Sequence, residues 1–366
     1  MLANAILASL PLVAAALAFT PQDTEVVIPA DSAKECRVVR FAAQELTNFL
    51  SRAFGCAVPV SHRIDPAKRS IVLGANEWSR AAGIDVTALA VDTHTHEGWT
   101  PWGENDGETS KLPTSPGKYY LTKDVTLTAD REISSGTYDI CLNGHVINLN
   151  GNYIKVSETS TTLNLYDCQT SVSHNGYLNS DGLWIWDENS EHPVDTGAGE
   201  KAYPISGGII TGGIHNSYGG AIWLVRSKMN MYGGTICGNK MTYSNNEGGG
   251  VHLQSGAKFT MTNSRIFGNY SAGSGGGVSA YGNSSGSFTM TDSIIDGNKA
   301  EKSGGGVYLY SDSCPFQMTG GSISNNSAGT SGGGVYLMNA KFEMTDGEIT
   351  GNVSTGSDGG GGVYTN

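Results

Sequence analysis

His94 and His96 stand two residues apart in Thr93-His94-Thr95-His96, so on a strand both imidazoles would share one face. A metal site needs three or four ligands in fitting geometry, and no second His/Cys pair at a usable spacing follows. The pair reads as part of a polar linker, and neither a metal nor a cofactor is expected. Cys36 and Cys56 flank an expected helix of about 20 residues, which separates them by about 30 Å and rules out a bridge. Cys141 and Cys168 are 27 residues apart, a spacing that can bring them onto adjacent turns of a repeat, whereas Cys237 and Cys314 fall in non-adjacent repeats. At most one bridge fits these spacings, and free buried thiols are the expectation.

Carboxylates offer a second kind of chemistry. Glycoside hydrolysis needs a general acid and a base projecting together. Asn143-Gly144-His145 and Gly213-Ile214-His215 have no paired carboxylate at the right offset for this, and Asp292 and Asp296 lack the aligned acids one repeat further on that a calcium-dependent lyase needs beside an Arg or Lys base. Asp181, Asp187, Glu188, Glu191 and Asp195 lie next to Trp184 and Trp186, a mixture that can bind sugar and calcium together. It is equally the composition of a solvated loop, which is the reading adopted.

Aromatic side chains offer a third. Trp223, His252, Tyr308, Tyr336 and Tyr364 each follow a branched apolar residue by one position, and Ser279 interrupts the series, with Tyr281, two residues on and on the same face, expected to fill part of the gap. If these positions stack, they make a flat amphipathic strip suited to sugar rings. Outward aromatic rings can equally stabilise a stack of strands without binding anything.

The elements that must position them repeat from residue 219 onward. Gly-Gly followed by Ala or Gly and then Ile222, Val251, Val278, Val307, Val335 or Val363 recurs at intervals of 29, 27, 29, 28 and 28. Met231, Met261, Met290, Met318 and Met344 follow, usually within Phe-x-Met-Thr. Then come Ile236, Ile266, Ile295, Ile323 and Ile349, each three residues before Asn239, Asn269, Asn298, Asn326 or Asn352. Periods of this length signal a solenoid. Each unit holds three short alternating runs between Gly, Asn and Ser, with no helical periodicity. The expected fold is mainly β, a right-handed parallel β-helix of about 28-residue coils spaced about 4.8 Å apart, with branched residues and Phe inside. The Gly triplets suit tight corners, and the Asn residues suit the left-handed conformation and a side-chain ladder from coil to coil. A phosphate loop would need a Lys and a following helix, and a calcium nonapeptide solenoid an Asp in every repeat; both are missing.

Less regular coils are expected upstream at 119–128, 140–149, 153–156 and 162–166, with 177–205 as an insertion on a side wall. The strings Lys118-Tyr-Tyr-Leu-Thr-Lys-Asp-Val-Thr-Leu and Asp139-Ile-Cys-Leu-Asn-Gly-His-Val-Ile-Asn-Leu, with the later repeats, resemble bacterial surface β-helix proteins of the autotransporter and Gram-positive adhesin-like type. The resemblance covers about residues 94–366. It implies a non-catalytic, adhesin-like or glycan-binding scaffold whose partners are glycans or other cell-surface molecules. The alternative is a polysaccharide lyase or glycoside hydrolase on the same fold, yet the Asn-Thr-Asp, Asp-Asp and Gly-His-Gly strings of polygalacturonase-like hydrolases are absent. The chain ends at Asn366 without the polar cap a solenoid needs, so a longer protein or a covering partner is expected.

Nearer the N-terminus, Ile6–Phe19 is an apolar run and Ala16-Leu17-Ala18 fits a signal-peptidase site, so residues 1–18 read as a signal peptide and the product as secreted or cell-surface. Residues 19–91 read as a small α/β domain. Strands are expected at 24–29, 57–60 and 70–74, and the capping box Ser32-Ala-Lys-Glu35 opens a helix that Gly55 ends. Val26-Val-Ile-Pro-Ala-Asp31, Phe41-Ala-Ala-Gln-Glu-Leu-Thr-Asn-Phe-Leu50 and Ile71-Val-Leu-Gly-Ala-Asn76 resemble the non-catalytic N-terminal domain of α-glucuronidase-like enzymes. No catalytic residue carries over from it. Residues 92–116 are the linker, with Trp99 and Trp102 covering the end of the β-helix at 117–366.

Composition agrees with this division. The 366 residues include 51 Gly, about twice the usual share, but only 11 Pro, which excludes collagen-like and Pro-rich disordered classes. The net charge of −12 argues against nucleic-acid binding, and no long apolar span follows the N-terminal run, which excludes a multi-pass membrane protein. A monomer is expected. Residues 93–204 carry 6 basic and 16 acidic side chains, leaving the repeats nearly neutral.

Overall fold

A computed structural model describes residues 96–366 apart from 106, 189–200, 246, 283–284, 311–313 and 357–358, together with three strands nearer the N-terminus. The chain divides into two units, 1–94 and 95–366. In the first, Thr24–Val27 pairs in parallel with Val60–Ser61 on one side and Arg69–Val72 on the other. The helix expected after Ser32 and the signal peptide lie outside the described residues.

The second unit is a parallel β-solenoid. Wall A stacks eight strands: Arg131–Ile133, Ile154–Ser157, Ile222–Val225, Val251–Gln254, Val278–Tyr281, Val307–Tyr310, Val335–Met338 and Val363–Thr365. Wall B carries the Phe-x-Met strands, such as Lys258–Thr262 and Ser287–Thr291, and wall C the Ile strands, such as Arg265–Phe267 and Ser293–Asp296. Walls B and C merge into one 15-stranded sheet because Phe316–Ser324 and Phe342–Thr350 each run through the bend as a single strand. A fourth wall, D, has strands of only two residues, from Ile214–His215 to Val353–Ser354. Three runs per coil were expected; a two-residue strand is too short to display alternation. Among the described residues no helix is long and apolar enough to cross a membrane.

Alternation fills the interior. Val251, Val278, Val307 and Val335 are fully buried, with Leu253, Leu309 and Leu337 two positions on. Phe259, Phe288, Phe316 and Phe342 stack at centroid spacings of 5.3, 4.5 and 4.7 Å. Trp102 packs against the same core, and its Nε1 donates to the carbonyls of Glu108 and Lys111. Its strand, Thr100–Trp102, already pairs with Gly117–Leu121, so solenoid pairing starts within the segment read as linker.

Two corners recur. The first Gly of each triplet has positive φ, as at Gly275 and Gly304 (both 68°), and the second passes so close to the next coil that a Cβ on Gly276 would lie 2.4 Å from the Gly305 carbonyl oxygen. At the other corner the left-handed residue precedes the ladder Asn: Gly268, Gly297 and Gly351, with Asn325 in the same role. The expectation that the ladder Asn itself is left-handed is corrected. Its side chain is needed pointing inward along the stack, and the preceding residue absorbs the turn.

The insertion is structured. Gly176–Leu178 pairs antiparallel with Trp184–Trp186 and with Lys201–Ala202. Trp184 is wholly buried against Val146, Ile209, Cys237 and Phe267 on the outside of wall C, and its Nε1 donates to the Tyr203 carbonyl.

Candidate functional site

Wall A positions all six of the side chains singled out for glycan contact. Parallel pairing places Trp223, His252, Ser279, Tyr308, Tyr336 and Tyr364 in one outward file. Tyr308–Tyr336 and Tyr336–Tyr364 stack at 5.2 Å. The file is not an open strip. His252 and Ser279 are completely covered and Tyr336 is only 9% exposed. The cause is the glycine corner, which folds back over the file: a Cβ at Gly248 would lie 2.8 Å from Ser279 Oγ, one at Gly304 2.7 Å from Tyr308 Cβ, and one at Gly332 2.8 Å from Tyr336 Cβ. Alternation reveals which face a residue takes but not what lies across it.

His252 Nδ1 lies 2.7 Å from Ser279 Oγ, and the Tyr218 ring stacks on the imidazole at 4.7 Å. Burial pulls the imidazole down to about 3, so it stays neutral at physiological pH. A hydroxyl bonded to an imidazole is the pairing of a nucleophile and its base, but with both side chains covered this pair closes a gap in the aromatic file. Beside Tyr308 lies Glu247, whose carboxyl burial pushes up to about 7 against the opposing pull of Lys302; its Oε2 has no hydrogen-bond partner.

A second outward file runs two residues along each strand: Val225, Gln254, Tyr281, Tyr310 and Met338. Tyr281 therefore does not fill the Ser279 gap. It stacks on Tyr310 at 5.3 Å, and these rings are 45% and 39% exposed. Tyr310 was not singled out in the sequence, although Tyr308-Leu309-Tyr310 shows the alternation that places it outward. The two files lie about 7 Å apart, two residues of strand rise.

The remaining candidates have structural partners. The Asn residues at 239, 269, 298, 326 and 352 form a continuous side-chain ladder. Asp296 is 2.8 Å from Arg265 and also accepts from Ser324 and Asn325. His145 lies 3.2 Å from Asp124, and His215 is 2.6 Å from the Tyr218 carbonyl. Asp181, Asp187 and Glu188 flank Trp184 only in sequence, since its ring is buried against wall C; Glu191 and Asp195 lie outside the described residues.

One cluster was not visible in the spacing. His96, read as linker, comes within reach of Cys141 and Cys168: Sγ to Sγ is 3.4 Å, Cys168 Sγ to His96 Nε2 is 3.6 Å, and all three atoms lie within 4.8 Å of one another. Both cysteines are free. The shared hydrogen bond and burial raise the Cys141 thiol, and the same bond lowers Cys168, so Cys168 is the readier thiolate.

Comparison of the chain with protein-family models, curated proteins and solved structures gives no match.

Proposed function

We propose that this chain is an exported, non-catalytic β-solenoid scaffold whose wall A holds an uncharged glycan. The observation that carries the reading is the stacked, exposed pair Tyr281 and Tyr310. Stacked strands fix both rings, so a sugar meeting them costs little further ordering. Tyr308 and Tyr336 extend the aromatic surface sideways while remaining largely covered. Such rings present an apolar body and a polar tip, the combination that suits the C–H face and hydroxyls of a sugar. The near balance of charge in the repeats favours a neutral ligand over a strongly acidic one. The resemblance to surface adhesin-like β-helices and the apolar run at 6–19 support placing it outside the cytoplasm.

A glycan array probed with the wild-type chain and with Tyr281→Ala/Tyr310→Ala tests the reading. Wild type should retain a neutral glycan and the double variant should lose at least tenfold in binding, with its melting temperature nearly unchanged because both rings are exposed. No retained glycan, or equal retention by both proteins, rejects it. Release of reducing ends or unsaturated products from a polysaccharide panel would favour the lyase or hydrolase reading instead; no such release is expected.

A further inference from the structure

We infer that Cys141, Cys168 and His96 together form a binding site for one zinc ion. Three separate parts of the chain converge to make it. Cys141 ends strand Thr137–Cys141, and Cys168 follows strand Thr162–Tyr166 of the next coil, with Tyr166 directly opposite Cys141. Coil stacking therefore brings the two sulfurs together. His96 arrives from the segment before Thr100–Trp102, and Tyr120 holds it: the two rings are parallel within 8° at 4.0 Å, and Tyr120 is itself the ladder partner of Cys141 on the other side.

The distances suit a metal better than a bridge. Tetrahedral zinc with S at about 2.3 Å and N at about 2.0 Å needs S···S near 3.8 Å and S···N near 3.5 Å. The sulfurs here are 3.4 Å apart and Cys168 Sγ is 3.6 Å from His96 Nε2, so small side-chain rotations admit the ion. A disulfide needs about 2.05 Å. Two thiolates and an imidazole are soft and borderline donors, which select zinc over magnesium or calcium. Asn143 Oδ1 lies 3.4 Å from Cys168 Sγ, so this amide or a water would supply the fourth ligand. Cys141 is fully buried, whereas Cys168 and His96 are partly exposed and leave a route for the ion. Among the described residues no other three His, Cys, Asp or Glu side chains converge in this way.

Binding would displace the thiol protons, so zinc uptake releases up to two protons per ion near neutral pH. The full chain, reduced and freed of reductant under anaerobic conditions, is titrated with zinc against a chromophoric chelator. Cobalt is added to a second sample to reveal thiolate-to-metal charge transfer. One ion per chain, the charge-transfer band, proton release and a zinc-dependent rise in melting temperature are expected. Cys141→Ser/Cys168→Ser should abolish all four. His96→Gln changes a partly exposed group, should fold normally, and should weaken zinc at least tenfold. Failure of the reduced wild type to take up zinc overturns the site, and so does unchanged affinity in His96→Gln. The glycan reading is independent, because neither Tyr281 nor Tyr310 belongs to this cluster.

Discussion

Asn298 Oδ1 accepts two hydrogen bonds from Asn269, one from its backbone N–H at 3.0 Å and one from its side-chain amide at 2.9 Å. The Asn298 amide in turn donates to Asn326 Oδ1 and to the Ile266 carbonyl, at 3.0 Å each. The same link repeats from Asn239 to Asn352, so each interior amide joins its own coil to both neighbours. All of this happens where solvent is excluded, since Asn298 is 1% exposed.

Asn298→Ala should therefore cost more than one hydrogen bond. It leaves two donors of Asn269 and the Ile266 carbonyl to find other partners inside the stack, a penalty of about 1–3 kcal/mol. Urea unfolding should show a lower midpoint with an unchanged slope. An unaltered midpoint would mean that the rungs act independently of their neighbours.

Glycine corners predict a sharper contrast. A Cβ on Gly276 would meet the Gly305 carbonyl oxygen at 2.4 Å and the Lys299 oxygen at 2.6 Å, both backbone atoms that cannot step aside. Gly276→Ala should unfold the repeats or lower their stability by several kcal/mol, in the range of severe overpacking. Gly151 has φ 82° but open space around it, so Gly151→Asn keeps a left-handed residue and should stay within about 1 kcal/mol of wild type. Thermal melts of the two variants side by side decide the matter.

Phe288 is an interior member of its stack, 5.3 Å from Phe259 and 4.5 Å from Phe316, and is wholly buried. Phe288→Ala opens a cavity that neighbouring coils, locked by their ladders, can fill only partly. The expected loss is about 3–5 kcal/mol by chemical denaturation. A loss below 1 kcal/mol would show that the stack collapses readily.

The solenoid was legible because its signals are local and repeated: Val307 and Leu309 inward, Tyr308 outward, Asn298 one coil from Asn269. What escaped is what acts across the repeat. His252 is covered by the Tyr218 ring and by the glycine corner, whose lack of side chains makes it look like a turn alone. The Trp184 anchor packs onto Phe267, 83 residues later, against a wall whose outward face reads as solvent-exposed. The His96 cluster depends on a non-repeating segment laid beside the first coils, which no period can reveal. Spacing did identify Cys141 and Cys168 as neighbours on adjacent turns, but the third member required three dimensions.

Glu247 gives the repeats a pH signature. Its carboxyl is pushed from 4.5 up to about 7 by burial, with Lys302 drawing it partly back, and Oε2 has no partner. Between those two values the folded chain holds a proton that the unfolded chain has released. Stability contributed by this residue is therefore complete below about pH 4.5, falls as pH rises toward 7, and is lost above it. Glu247→Gln keeps the shape and removes the charge. It should match wild type near pH 4.5 and exceed it at pH 8 by roughly 1–3 kcal/mol. His252, held neutral down to about 3, produces the opposite slope, with stability falling as pH drops below 6.5, but it does so in both proteins and cancels in the difference. Urea unfolding of the pair at pH 4.5, 6 and 8 measures that difference directly. A constant offset across the three values would show that Glu247 ionises as an ordinary surface carboxylate and that its Oε2 meets solvent.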